Sequence, residues 1–249
     1  MQGVNCVKSE IHSVLTALRI HSTSAAKTRG SAQGGIENPL VRKLKDLYDQ
    51  LANTNDLSLI DTVQVFDPFL SCIVADNTNA IVTDAALQAV HKFLLYGHVT
   101  VHSFNAAPAM SNIAHSVAQC QFDATSAGEA EVVYMKSLEV LVECLRCPAG
   151  PLLTDDAVCA MVTQSFAVRS RPNISKLLRR HADNSLLQMV LVIFARLSPD
   201  TKTGGEKIIT KEERKDFKIT DGGVIVHPPE TPSTHQPYGV NTMERVLKF

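Results

Sequence analysis

The sequence predicts an all-α protein built as a solenoid of antiparallel helix pairs. Four long segments with helical apolar periodicity occupy residues 80–197, and capping residues and short Pro/Gly stretches separate them. No segment alternates apolar and polar residues over the length of a half-buried strand. Several helices are apolar on two faces, so each pair can stack on the next, which favours a solenoid over a closed bundle. The absence of a strict period is typical of irregular repeats of the armadillo or HEAT kind.

Three helices are predicted in the first 80 residues. Residues 4–20 form an amphipathic helix, because apolar side chains recur at three- and four-residue steps. The Ser/Ala/Gly-rich stretch 21–35 is predicted to stay unordered, since it cannot bury enough apolar area. A second helix begins near Pro39, a favoured first-turn residue, and a third covers 67–74 with Pro68 near its start.

Two well-defined helices and a weaker one follow. Thr83 or Asp84 is predicted to cap the first of them, and the weaker segment covers 108–120. The helix at 129–146 has a narrow polar face, which indicates that neighbours cover it on most sides. That face consists of Lys136, Glu139, Glu143 and Arg146.

The last two helices precede a change in composition. Thr154 opens the helix that runs to Phe166, and Asn173 opens the last long helix. The last helix is predicted to turn its apolar residues inward, namely Ile174, Leu177, Leu178, Ala182, Met189, Ile193 and Leu197.

The predicted domain organisation has three parts. Residues 1–197 form the helical domain, and the charged and Pro-rich residues 198–237 form a linker. The best strand candidate of the chain, at 222–229, lies inside that linker. Residues 238–249 read as the truncated helical start of a neighbouring domain.

Composition excludes several classes of function. The formal net charge of −1 and the pI near 6.7 give no electrostatic reason for nucleic acid or an anionic membrane to be the main partner. Nine Phe, four Tyr and no Trp leave few platforms for base stacking. No apolar run approaches a membrane span, the N-terminus lacks a signal-peptide core, and six scattered Cys fit a reducing compartment. The sequence therefore predicts a soluble, cytoplasmic protein.

No constellation of residues predicts catalysis or a cofactor. Cys144 and Cys147 form a CxxC pair, but a structural zinc site needs four ligands and no second pair is present. The helix turns Cys144 toward the core, where a thiol acts as a small hydrophobe. The chain has no phosphate-binding glycine motif and no recognisable nucleophile. We therefore expect no cofactor, no metal and no catalytic residue.

One basic run stands apart from the balanced charge. Arg169, Arg171, Lys176, Arg179 and Arg180 cluster around a helix start. The favoured interpretation is a solvated face, and the alternative is a surface for an acidic partner or for phospholipid headgroups.

Several motifs in a fixed order resemble a known family. They are EIHSVLTALR, VFDPFLSCI, IVTDAALQAVHKFL and EAEVVYMKSLEVL, followed by QPYGVNTMERVLKF. Together they resemble the N-terminal dimerisation and cyclophilin-binding (DCB) domain of the large Arf guanine-nucleotide exchange factors, in their Golgi brefeldin-A-resistance branch. The last motif is similar to the opening of the adjoining homology-upstream (HUS) domain. The segment after Ile20 departs from the usual basic-aromatic pattern of the family, in the manner of fungal members. We therefore infer no property of the family for that segment.

The resemblance implies a right-handed, armadillo/HEAT-like helical array with a regulatory function. Such a domain forms homodimers and contacts the HUS domain, and small GTPases of the Rab or Arf-like type are further expected partners. The exchange domain lies further along in these proteins, so this chain is expected not to be an enzyme. Family members act peripherally on Golgi membranes in vesicle-mediated transport. The alternative is an unrelated α-solenoid scaffold that binds peptides or coat proteins.

Three residues are candidates for the dimer interface: Lys92, Leu95 and Glu131. Leu95 lies beside Lys92 on an outward helix face, which indicates either a contact surface or a contact with the next helix pair. Glu131 lies in a first helical turn, where a carboxylate suits the dipole and stays available to a partner. Lys92 and Glu131 fall in the family-like motifs, and a two-fold axis would bring Lys92 of one subunit to Glu131 of the other.

Overall fold

Helices make up most of the described structure. The computed structural model describes residues 2–29, 38–54, 56–76 and 78–202. These ranges contain eight α-helices and two 3₁₀ turns, Leu57–Leu59 and Gly150–Leu152. The α-helices are α1 (Gln2–Arg29), α2 (Pro39–Ala52), α3 (Thr62–Val74), α4 (Ala80–Leu95), α5 (Ala106–Ala118), α6 (Ala127–Arg146), α7 (Asp155–Arg169) and α8 (Lys176–Lys202). The same ranges contain no β-strand, although Asn79 and Asp123 form an isolated bridge.

The helices pack in two layers. α1, α4, α6 and α8 lie side by side in one layer, and α2, α3, α5 and α7 lie side by side in the other. Successive helices pair across the layers, so that α1 packs on α2, α3 on α4, α5 on α6 and α7 on α8. Stacked pairs of this kind define a helical solenoid. The predicted all-α solenoid is therefore confirmed.

The first pair is reversed relative to the others. The starts of α4 and α6 meet at the isolated bridge, so these two helices run parallel. In contrast, Gly3 near the start of α1 lies against His98, just beyond the end of α4. Further along α1, Glu10 pairs with Lys92, which precedes that end. α1 therefore runs antiparallel to α4, and α1 and α2 form a distinct first end of the array.

Polar side chains cap most of the helices. The side-chain oxygen of each N-cap residue accepts a hydrogen bond from a first-turn N–H in α2, α3, α4, α6 and α7, and these residues are Asn38, Asp61, Asn79, Ser126 and Thr154. At α8, Leu178 N donates to Ser175 Oγ at 3.1 Å. Each cap satisfies a donor that the helix itself leaves unpaired. The predicted cap at Thr154 is confirmed.

The predicted starts of α3 and α8 are wrong. α3 begins at Thr62 because Asp61 caps it, so Pro68 lies well inside the helix and not near its start. Proline there lacks one backbone donor, and burial of its ring in the core offsets that loss. α8 begins after Ser175, because Asn173 adopts a left-handed conformation with φ of 60° that cannot enter the helix.

The predicted cap of α4 is also wrong. Asn79 caps this helix, so Thr83 and Asp84 lie inside it. The side chain of Thr83 is fully buried, and its hydroxyl lies 3.3 Å from the hydroxyl of Thr78. Buried hydroxyl groups of this kind hold the loop before α4 against the helix, because each needs a hydrogen-bond partner away from water.

Both long terminal helices extend past their predicted ends. α1 continues to Arg29, so the stretch after Ile20 is not wholly unordered as predicted. Once a helix is nucleated, Ala and Lys residues extend it at low cost, and this stretch contains several. α8 continues to Lys202, past Leu197. Leu177, predicted to face inward, is exposed.

Several predictions fall outside the described residues. They are the strand candidate at 222–229, the helical start at 238–249 and the side chain of Leu197. The division into a domain at 1–197, a linker at 198–237 and a further domain at 238–249 stays a prediction.

An aromatic cluster joins α3 to α4. The ring of Phe93 meets Phe69 with centroids 5.2 Å apart and Phe66 with centroids 5.7 Å apart, both edge to face. All three side chains are buried. Edge-to-face pairs add to the free energy gained from burying the rings. The cluster therefore holds the second helix pair together.

Phe93→Ala is expected to lower the free energy of unfolding by about 3–5 kcal/mol, because it leaves a cavity between two aromatic rings. Urea denaturation followed by circular dichroism measures this change. Phe104→Ala removes an exposed ring of the same type and is expected to change stability by less than about 0.5 kcal/mol. Equal effects of the two substitutions would contradict the central role of the cluster.

Candidate interaction surfaces

Lys92 takes part in an ion pair within the chain. Its Nζ donates to Glu10 Oε1 at 2.7 Å, which joins α4 to α1. The side chain of Glu10 is only 8% exposed, whereas that of Lys92 is 41% exposed. A nearly buried carboxylate depends on its partner, because an unpaired buried charge is costly. Lys92 therefore stabilises the fold, and its outer part reaches the surface.

Glu131 also has a partner within the chain. Ser175 N donates to Glu131 Oε1 at 2.6 Å, which joins the start of α6 to the start of α8. Hydrogen bonds from the hydroxyl and the backbone N–H of Ser175 lower the pKa of Glu131, because both favour the charged carboxylate. Glu131 thus helps to hold the cap residue of α8 in place.

The structure separates Lys92 from Glu131. Lys92 faces α1 on one side of its layer, whereas Glu131 faces α8 on the other. α4 and α6 run parallel, and Lys92 lies near the end of its helix while Glu131 lies near the start of its own. No contact joins these two residues within one subunit. Their membership of a dimer interface stays a prediction.

Leu95 begins an exposed apolar surface at one edge of the array. Leu95 is 55% exposed and Tyr96, the C-cap of α4, is 62% exposed. Val101 and Phe104 are also exposed in the loop that leads to α5. We call these four residues the α4 edge. Large apolar side chains grouped at a surface indicate a contact with another molecule or domain.

A second exposed apolar surface lies on the last described helix. Leu187 and Leu191 are 57% and 58% exposed, one turn apart on α8. Both lie opposite the buried residues Leu178, Ala182 and Met189. We call the surface of Leu187 and Leu191 the α8 face.

A polar cleft crosses α4, α6 and α8. It is lined by His91, Glu139, Val142, Glu143, Arg146, His181, Asn184, Ser185 and Gln188. Lys136 Nζ donates to Glu139 Oε2 at 2.6 Å, and His181 Nε2 lies 4.0 Å from Glu139 Oε1. Burial lowers the pKa of His91, and the charge of Lys136 lowers it further. The sequence predicted the polar face of α6, but no local signal brings together histidines from α4 and α8.

The basic run divides into partnered and exposed residues. Arg169 pairs with Asp183, and the guanidinium of Arg171 lies 4.3 Å from the ring centroid of Tyr134. Lys176, Arg179 and Arg180 are exposed at the start of α8. The run therefore combines intramolecular contacts with a cationic surface.

The CxxC pair is buried. Cys144 lies in the core beside Leu141 and Leu145, as its helical position predicts. The Sγ of Cys147 donates to Cys144 O at 3.4 Å. Burial raises the pKa of both thiols, which favours the neutral form. In the part of the chain that the structure describes, no three His, Cys, Asp or Glu residues cluster as metal ligands.

Three curated relatives of the chain are described as guanine-nucleotide exchange factors. The Golgi-specific brefeldin A-resistance guanine nucleotide exchange factor 1 homolog of Caenorhabditis elegans is 40% identical over 161 residues, which are 64% of this chain and 8% of that protein. The ARF guanine-nucleotide exchange factor GNL1 of Arabidopsis thaliana is 30% identical over 193 residues, covering 77% of this chain and 13% of that protein. The ARF guanine-nucleotide exchange factor GNOM of the same plant is 28% identical over 240 residues, covering 94% of this chain and 16% of that protein. The chain belongs to the family of Arf guanine-nucleotide exchange factors.

The family assignment applies to a segment of these exchange factors. The chain spans between 8% and 16% of the length of the three relatives. The resemblance in the sequence motifs is confirmed, and the chain is part of an Arf exchange factor. No protein-family model matches it. None of the described helices is long and apolar enough to span a membrane.

Lys92→Glu is expected to destabilise the monomer by about 2–3 kcal/mol, because it places two carboxylates together where one is nearly buried. The double variant Glu10→Lys/Lys92→Glu restores part of the loss, since it reverses the pair. Chemical denaturation measures both effects.

The matched control is Lys43→Glu. Lys43 pairs with Asp67 at 2.8 Å, but both side chains are about half exposed, so the expected loss is below about 1 kcal/mol. If Lys92→Glu cost no more than this control, the Lys92–Glu10 pair would not be a structural contact.

Proposed function

We propose that this segment is the non-catalytic, regulatory DCB domain of an Arf exchange factor, which forms homodimers and contacts the HUS domain of the same protein. Similarity to GNOM along 94% of the chain carries the proposal. The exposed apolar surfaces support it, because a solenoid segment offers its edges and its end to partners. The parent protein is proposed to act peripherally on Golgi membranes in vesicle traffic, in line with the Golgi-specific description of the nematode relative.

Catalysis is proposed for the parent protein and not for this chain. The chain covers a small share of each related exchange factor, and the α4 edge and the α8 face consist of apolar side chains that suit contacts with other domains. Small GTPases of the Rab or Arf-like type are proposed as further partners on the resemblance alone.

The α4 edge is the surface best suited to self-association. Leu95 and Tyr96 supply apolar area, and the exposed part of Lys92 lies next to them as a polar rim. A stable dimer buries about 1,200–2,000 Å² in total, so residues beyond these must contribute. Lys92 suits the rim of this surface, because its outer part is exposed and its ammonium already pairs within its own subunit. Glu131 lies near the start of α6, away from the α4 edge, so a role for it in the dimer would need a wider interface. The apolar residues should therefore carry most of the binding free energy.

Leu95→Ser/Tyr96→Ser is expected to raise the dimer dissociation constant more than about tenfold, because a two-fold axis removes each apolar contact twice. Sedimentation velocity over a concentration series around the low micromolar range measures it. Ile81→Ser is the control, since Ile81 is equally exposed at the other end of α4. A double variant that dimerises like the parent would place the interface elsewhere.

The α8 face is the surface best suited to the HUS domain. α8 is the last described helix, and the chain continues beyond it toward the HUS-like motif at 236–249. The next helix pair of a solenoid stacks on the free side of the preceding pair. Leu187 and Leu191 provide such a side.

Leu187→Ser/Leu191→Ser is expected to weaken binding of this chain to a separately expressed HUS domain more than about tenfold, because both leucines would be buried in that contact. Isothermal titration calorimetry measures the affinity. Leu59→Ser, an exposed leucine before α3, should bind normally. Normal binding by the double variant would exclude the α8 face, and an unchanged dimer would show that the two surfaces are separate.

A further inference from the structure

We propose that the corner between α7 and α8 docks on membranes that contain anionic phospholipids. The corner comprises Arg171, Lys176, Leu177, Arg179 and Arg180, and we call it the α7–α8 corner. It shares no residue with the α4 edge or with the α8 face. The proposal does not depend on self-association, because every residue it uses lies on one subunit.

The cations of this corner are largely uncompensated. Asp183 forms an ion pair with Arg169, and Glu131 accepts the hydrogen bond from Ser175 N, so neither carboxylate neutralises the cations of the corner. Among the described residues, Lys176, Arg179 and Arg180 form no ion pair. Three exposed cations therefore lie within two turns of helix, close to the exposed Arg171. Clusters of this kind attract anionic lipid surfaces.

These cations do not stabilise the helix on which they lie. The positive end of a helix dipole favours acidic residues in the first turn. α6 has Glu129 there, and α7 has Asp155 and Asp156. α8 has no acidic residue in its first turn and has Lys176 instead. Lys176 therefore gains nothing from the dipole of α8, although α1 to α5 also lack an acidic residue in the first turn.

An exposed leucine distinguishes a membrane from an acidic protein. Leu177 is 67% exposed and directly follows Lys176. Pro172, in the preceding loop, is also exposed. Lys176 and Arg180 lie within about 100° of Leu177 around the helix axis. Basic residues beside a projecting apolar side chain suit a headgroup layer, where cations meet phosphates and the apolar group enters the acyl boundary. Because an apolar side chain projects beside the cations, we favour the membrane over an acidic peptide.

Vesicle binding tests the proposal with the whole chain. Vesicles of phosphatidylcholine with about one-third phosphatidylserine should bind the chain weakly, and pure phosphatidylcholine should not. The variant Lys176→Gln/Arg179→Gln/Arg180→Gln should lower the partition coefficient about 100-fold, at about fivefold per cation. Raising salt from about 50 to 200 mM should weaken binding of the parent chain. Leu177→Ser should lower partitioning several-fold at either salt concentration.

The control removes the same charge elsewhere. Arg19→Gln/Arg42→Gln/Lys45→Gln changes three cations of α1 and α2, at the other end of the array, and should bind like the parent chain. Equal loss in both triple variants would show a net-charge effect and overturn the proposal. Binding of a polyglutamate peptide with the affinity of the vesicles, or an unaffected Leu177→Ser, would point to an acidic protein and also overturn it. Sedimentation velocity on the same variants reports dimerisation separately, so failure of either proposal is recognisable.

Discussion

The middle helices of the array have to bury apolar side chains on several sides at once. α6 packs on α4 and α8 in its own layer and on α5 across the layers, which leaves one narrow face for solvent. Its polar residues Lys136, Glu139 and Glu143 lie on that face, and the residues between them are buried. Because neighbours cover the other sides, large apolar residues can be exposed in groups mainly at edges, loops and ends. The candidate interaction surfaces lie at such places for this reason.

The existence of the helices could be predicted, whereas their starts could not. The apolar periodicity that predicts a helix extends over the whole helix. One residue that departs from the pattern therefore does not change the prediction. A start depends on one capping contact, and the sequence offers competing candidates. Asp61 and Pro68 both suit the beginning of α3, and the structure selects Asp61. Thr83 has a capping side chain but is buried, where its hydroxyl lies within hydrogen-bonding distance of Thr78.

The sequence also predicted which helix faces reach the surface, but not the partners of charged residues. Leu95 is exposed as its position on the helix indicates. Lys92 and Glu10 are 82 positions apart, and Glu131 and Ser175 are 44 apart, so no local pattern could reveal these contacts. A charged residue on a partly exposed face can therefore serve the fold and still lie near an interface. For such residues a loss of dimerisation has to be separated from a loss of stability.

α8 connects two of the proposed surfaces. Leu177 and Lys176 lie in its first turn, and Leu187 and Leu191 lie about 15 Å further along its axis. Arg180 belongs to the α7–α8 corner, yet helical spacing places it on the same side as Leu187 and Leu191. A domain that stacks on the α8 face would therefore approach the cationic corner from one side. The charge of that domain next to Arg180 would then strengthen or weaken the attraction of the corner to an anionic membrane. A single helix would in this way couple the intramolecular contact to membrane docking.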